Sequence, residues 1–214
     1  MNLGAWSIGP VVTAMLLGAC AKGQATETAP PRELAEADYP GALATTLTGP
    51  DFMARQRLRG TARGREIGGE VVLQKQGDAL TLIGLTPFST KAFVAKQQGA
   101  EVKVDVFAPE GKLPFPPRFM LLDVHRVQFL GLPGAPLADG THRGEVGEEK
   151  VTEVWQGGAL LERRFERKDG KPGGEIVVTY EGGMKDGALP SRLRLVNGWF
   201  GYEIAVETLQ WQPL

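Results

Sequence analysis

The sequence is poor in the residues that carry most covalent and metal chemistry. It holds one cysteine, Cys20, so no disulfide can close within the chain and no all-cysteine metal site can be built. Two histidines, His125 and His142, and three serines, Ser7, Ser89 and Ser191, leave little for a metal centre or a hydroxyl nucleophile. No Gly-x-Ser-x-Gly turn occurs. Charge of one sign is missing as well: 24 Lys and Arg stand against 25 Asp and Glu, which excludes a strongly basic nucleic-acid binder. No apolar run reaches the roughly 20 residues that a membrane-spanning helix needs. Aromatics make up only 7% of the chain, too few to fill the middle of a wide barrel.

Turn residues, by contrast, are abundant. The 29 glycines and 15 prolines suit many short strands separated by turns. From Arg55 onward apolar and polar residues alternate, the signature of half-buried antiparallel strands. The clearest case is Glu101–Val106, with valines on one face and charges on the other. Similar segments are Gly69–Lys75, Ala79–Leu85, Lys91–Lys96, Val151–Gln156, Ala159–Arg167, Glu175–Tyr180, Ser191–Val196 and Tyr202–Trp211. So many strands cannot stay flat, because strand twist accumulates. The expected fold is mainly β: an incomplete, curled antiparallel β-barrel in a single domain over residues 41–214. Leu113–Val127, opened by prolines, reads as a short helical lid over an apolar cavity, and Leu43–Met53 as a second helix.

The alternation assigns an inward, cavity-facing set: Val71, Leu73, Leu80, Leu82, Phe93, Val104, Ile176, Val178, Leu193, Leu195, Ile204 and Val206, with Phe119 and Leu122 from the helix. Alternation tells which face is apolar; whether the space inside is open or filled stays undecided at this stage. Arg55, Arg57 and Arg59 share one strand face. They read either as charge protection of an edge strand or as a stripe that meets anionic headgroups or an acidic carrier, a role open to Arg118 and Arg126 as well. Trp199, Phe200 and Tyr202 either plug the barrel end or touch a bilayer interface. His125 reads as a satisfied, partly buried histidine and His142 as part of a polar turn. Glu148-Glu149 and Glu162/Glu166 are paired carboxylates that nothing else raises to glycosidase chemistry, and the charged run Glu162–Arg167 reads as a solvated face. No catalytic residue, metal or cofactor is expected.

Residues 1–19 carry no charge and end in small residues, as a secretory signal does. Leu17-Gly18-Ala19-Cys20 resembles the lipobox of bacterial lipoproteins. That resemblance implies cleavage before Cys20 and its acylation, with residues 20–40 as a flexible tether. Ala21, by resemblance to enterobacterial sorting, favours the outer membrane.

The order of parts from Gly49 to Leu214 resembles the LolA/LolB family of lipoprotein carriers and receptors, and the LolB-like lipoproteins in particular. Leu85-Thr86-Pro87-Phe88-Ser89-Thr90 and Pro190-Ser191-Arg192-Leu193 carry the likeness best. The resemblance implies an apolar cavity that receives acyl chains of a lipid or an acylated protein, for transport or insertion. The chain is then a non-enzymatic monomer, lipid-anchored on the periplasmic face of the outer membrane, with a periplasmic carrier protein as partner. The alternative is a structural or assembly lipoprotein with a filled core that braces a protein partner.

Overall fold

The computed structural model describes residues 39–109, 113, 115–185 and 188–214. The expected leader and most of the tether, Cys20 included, lie outside the described residues. Tyr39, the first described residue, is 5% exposed and packs with Phe119 and Leu122.

Eleven antiparallel strands make one sheet. The first wing holds β1 (Phe52–Ala62), β2 (Arg65–Gln76), β3 (Ala79–Leu85), β4 (Lys91–Gln98) and β5 (Glu101–Val106). A helix, α1 (Pro117–Gln128), follows. The second wing holds β6 (Gly140–Val146), β7 (Glu149–Gln156), β8 (Ala159–Arg167), β9 (Glu175–Met184), β10 (Arg192–Asn197) and β11 (Tyr202–Pro213). Each wing is a meander of hairpins, and β1 pairs with β11 to join them, giving the order β5-β4-β3-β2-β1-β11-β10-β9-β8-β7-β6. The β1–β2 hairpin turns through Arg63 and Gly64, both at positive φ, as the tight hairpin turn that matches strand twist requires.

The sheet does not close, since β5 and β6 are its two ends. It must nevertheless curl. β4 and β7 stand eight positions apart in the strand order, which would be roughly 38 Å across a flat sheet. Yet α1, about 10–12 Å across with its side chains, hydrogen-bonds to Gln97 of β4 and to Glu149 of β7. The helix therefore lies in the trough of a curled sheet. One apolar cluster, with Leu160, Phe165, Ile176 and Val178, fills the second wing. Another, with Phe52, Leu73, Leu80 and Phe93, fills the first.

Three expectations are corrected. No helix forms over Leu43–Met53. Residues 41–51 run irregularly and β1 begins at Phe52; the 3.6-residue spacing of Leu43 and Leu47 is outweighed by Thr45-Thr46 and Gly49-Pro50, poor helix formers. The polar turn around His142 is strand β6. As an end strand it buries little on either face, so it shows no apolar alternation. Finally, the arginines of β1 do not guard an edge, because β1 lies mid-sheet between β2 and β11.

The seam between the wings is tight. A Cβ on Gly60 would stand 1.9 Å from the carbonyl oxygen of Glu203 on β11, whereas one on Gly69 would have its nearest neighbour at 4.0 Å. We therefore expect Gly60→Ala to cost about 1–3 kcal/mol, as overpacking does, and to lower the urea midpoint clearly. Gly69→Ala should shift it little. Equal shifts would refute the close approach.

Candidate functional site

The helix is held from three directions by buried polar groups. Arg126, with no exposed surface, gives Glu149 two hydrogen bonds of 2.7 and 3.3 Å and donates to the Pro40 carbonyl at 2.6 Å. Its guanidinium carbon lies 4.9 Å from the centre of the Trp199 ring and 5.2 Å from that of Tyr39. One helical turn earlier, Asp123 accepts from the hydroxyls of Tyr39 and Tyr202. Asn197 donates to both hydroxyls, at 2.9 and 2.8 Å, and its own oxygen accepts from the backbone of Trp199 and Phe200. At the helix end the carbonyls of Arg126 and Val127 accept from Arg163, and Val127 also accepts from Tyr180 at 2.7 Å. Those carbonyls would otherwise lack partners.

On the opposite flank, His125 fixes residues 39–51, which run over the helix as a strap. Its Nδ1 accepts from the Ala44 amide at 3.1 Å, so the proton must sit on Nε2, which faces the Gln97 Oε1 at 2.6 Å. Gln97 in turn donates to the carbonyls of Ala44 and Gly99. Every polar atom of the imidazole is thereby satisfied in its neutral form. Burial first, and the Arg126 charge second, push the His125 pKa down to about 4. Burial acts oppositely on Asp123, raising its pKa in spite of Arg126 and the two tyrosines.

Between the sheet and α1 lies a cavity of about 70 Å³ with eighteen lining residues. Of the fourteen inward residues read from sequence, eight line it: Val71, Leu73, Leu82, Phe119, Leu193, Leu195, Ile204 and Val206. The other six pack elsewhere. Leu80 and Phe93, with Val104 against them, belong to the first-wing core, Ile176 and Val178 to the second-wing core, and Leu122 to a cluster with Tyr39 and Phe119. Sequence reading missed Met120, Val124 and Val127, although their spacing marks one helix face, and Gln56 and Leu58, in phase with buried Ala54 on β1. Leu189, Phe115 and the polar Asp123, Gln128 and Tyr202 also line it. Leu189 and Phe115 lie outside regular elements, where no period signals them.

The convex face is a ladder of cross-strand ion pairs. Arg55 and Arg57 both reach Glu70, Arg57 also reaches Glu207, and Arg194 reaches Glu203. Arg59 is exposed on the same strand face. Arg126, read from sequence as a headgroup contact, is instead fully buried, because Glu149 and the strap enclose it. The Glu162–Arg167 run is not wholly solvated either: Arg163 is paired to Glu153 at 2.7 Å, and both are buried. Trp199 and Tyr202 plug the end of the second-wing core. Among the described residues no cluster of three or more His, Cys, Asp or Glu suits a metal ion.

A family model with the description "Protein of unknown function (DUF3261)" matches residues 53–210. No curated protein sequence matches the chain. Among solved structures the chain is similar to a LolA-superfamily protein from Nitrosomonas europaea, at 12% identity and a TM-score of 0.46 over 77% of this chain and 86% of that one. It is also similar to a domain named for outer-membrane lipoprotein sorting from Vibrio parahaemolyticus, at 9% identity and a TM-score of 0.41 over 77% and 85%. A third, a DUF1329-family protein from Desulfovibrio piger, has 11% identity and a TM-score of 0.38 over 78% and 86%.

The His125 contacts make stability depend on pH. A histidine depressed on folding stabilises fully above its unfolded pKa, near 6.5, and that contribution is lost as pH falls towards about 4. The unfolded chain takes up a proton in that window and the folded chain refuses it. The effect reaches up to about 3 kcal/mol, offset in part by Asp123, whose raised pKa favours protonation in the folded state. The wild-type urea midpoint should therefore fall between pH 7 and 4.5, and His125→Gln should flatten that slope. An unchanged slope in the variant would refute the assignment.

Proposed function

The chain belongs to the DUF3261 family, described as proteins of unknown function, and from its own geometry we propose that it binds an acyl chain in the cavity beneath α1. The observation that carries this reading is the lining, in which fourteen of the eighteen residues are apolar. They come from both wings and from the helix, so an inserted alkyl chain would touch aliphatic groups on every side. The alkyl chain is that of a lipid or an acylated protein. The protein works as a lipoprotein anchored through Cys20 at the periplasmic face of the outer membrane, the LolB-like role its sequence suggests, with a periplasmic carrier as partner. Among the described residues no helix is long and apolar enough to cross a membrane.

The physics is transfer by relative affinity. Burying roughly 200 Å² of alkyl surface contributes about 5 kcal/mol, enough to hold a chain and little enough to release it. The cavity is about five times the 10–15 Å³ that admits one water. It therefore takes the end of a chain as it stands, and a longer insertion needs lining side chains to yield. Met120 is suited to this, being unbranched and adaptable. The helix itself stays in place, because its far side is tied to the strap, β4 and β7. The role is non-catalytic: His125 and Asp123 are each committed to structural partners on different sides of α1.

The second reading is a filled-core lipoprotein that braces a partner, favoured by the small cavity and the tightly held helix. Uptake of the apolar dye N-phenyl-1-naphthylamine separates the two. On the first reading Leu82→Trp and Leu195→Trp, which fill the cavity, reduce dye affinity at least tenfold while the far-ultraviolet circular dichroism stays native. Equal dye uptake by wild type and both variants would overturn the placement of the site.

A further inference from the structure

The proposed cavity has a charge of its own. Its lining includes one carboxylate, Asp123, and no lysine or arginine among the described residues. The nearest cation, Arg126, stands behind the wall, 3.6 Å from Asp123 and 2.7 Å from Glu149. Two buried carboxylates thus share one guanidinium, leaving the cluster one negative charge in excess when both are ionised. The neighbouring buried pair, Arg163 and Glu153, is internally balanced and supplies nothing. On the convex face Arg55 and Arg57 are engaged by Glu70. The remaining polar lining is neutral: the amides of Gln56 and Gln128 and the hydroxyl of Tyr202. Gln56 spends its amide nitrogen on Thr208 in a long bond of 3.3 Å, easily exchanged.

Resting on the acyl-chain reading above, we propose that Asp123 makes the cavity a charge filter, which takes alkyl chains carried on uncharged ester, amide or hydroxyl groups and turns away free carboxylates. The ligand class is then esterified or amide-linked acyl chains rather than free fatty acids. A chain whose end fills the cavity holds its head at the mouth, where an ester, amide or hydroxyl brings no net charge. An anionic head brought to the same place meets an unbalanced negative charge with no cation to receive it. At about 10 Å and an effective dielectric near 20, one such charge changes affinity roughly tenfold.

The test is displacement of bound N-phenyl-1-naphthylamine from the purified chain at pH 7.5 by three twelve-carbon probes: dodecanol, dodecylamine and dodecanoate. Dodecanoate should displace the dye about tenfold more weakly than both others. The amine is the control for head hydration, since it is also charged but of opposite sign. In Asp123→Asn, which keeps the shape of the side chain, dodecanoate should come within about twofold of dodecanol. If the amine is as weak as the carboxylate, or the carboxylate as strong as the alcohol, or the gap survives in Asp123→Asn, the filter is overturned while chain binding stands. If no probe displaces the dye, the acyl-chain reading fails with it. Should Asp123→Asn not fold, the wild-type series decides alone.

Discussion

A guanidinium without exposed surface governs how this molecule is put together. Removing a charge from water costs several kcal/mol unless partners replace the lost hydration. Arg126 gathers those partners from three places far apart in sequence, Glu149 at the start of β7, Pro40 in the strap and Trp199 in the β10–β11 turn, and from Asp123 one turn earlier on its own helix. Each of these is held by others in turn, Asp123 by Tyr39 and Tyr202 and those by Asn197. The strap, the helix and the second wing are therefore locked in one mutual arrangement. None of them can shift without exposing the charge to a worse environment.

That lock decides what the helix is. A lid must leave its seat cheaply, and α1 is tied through Arg126 to β7 and the strap, through His125 to β4 and the strap, and through Arg163 and Tyr180 at its end. Its remaining face, Met120, Val124 and Val127, carries apolar side chains towards the sheet and leaves the cavity open. The same rigidity that makes α1 a wall confines adaptation to side chains. Ligand chemistry then follows from the lining: aliphatic surface for a chain, two neutral amides, and an acid whose compensating cation lies behind the wall.

Much of the fold was legible because alternation reports a half-buried strand directly. β3, β5, β7, β9 and β10 carry it, and the prolines before α1 mark the helix start. β6 escaped because an end strand has little buried face to pattern. The strap escaped because its order comes from contacts distant in sequence, such as Ala44 with His125 and Tyr39 with Asp123. Buried charge was the hardest to read. Glu153 and Arg163 look like solvated charges along their own strands, and only the register, which places them directly opposite one another across β7 and β8, pairs them. The cavity was half legible for a related reason. Alternation selects a side of the sheet, and Leu82 and Leu80 share that side, but only their place along the trough sets one beside open space and the other inside the core.

The proposed role depends on whether the cavity holds an acyl chain. Native mass spectrometry of residues 21–214, exported to a lipid-containing periplasm without the acylated cysteine, would address this most directly. The account predicts a co-purifying mass that is released on unfolding and contains an esterified or amide-linked acyl chain, absent from Leu195→Trp prepared alongside. A single bare mass for the wild type, unchanged after incubation with acyl lipids, would contradict it and leave the bracing lipoprotein in its place.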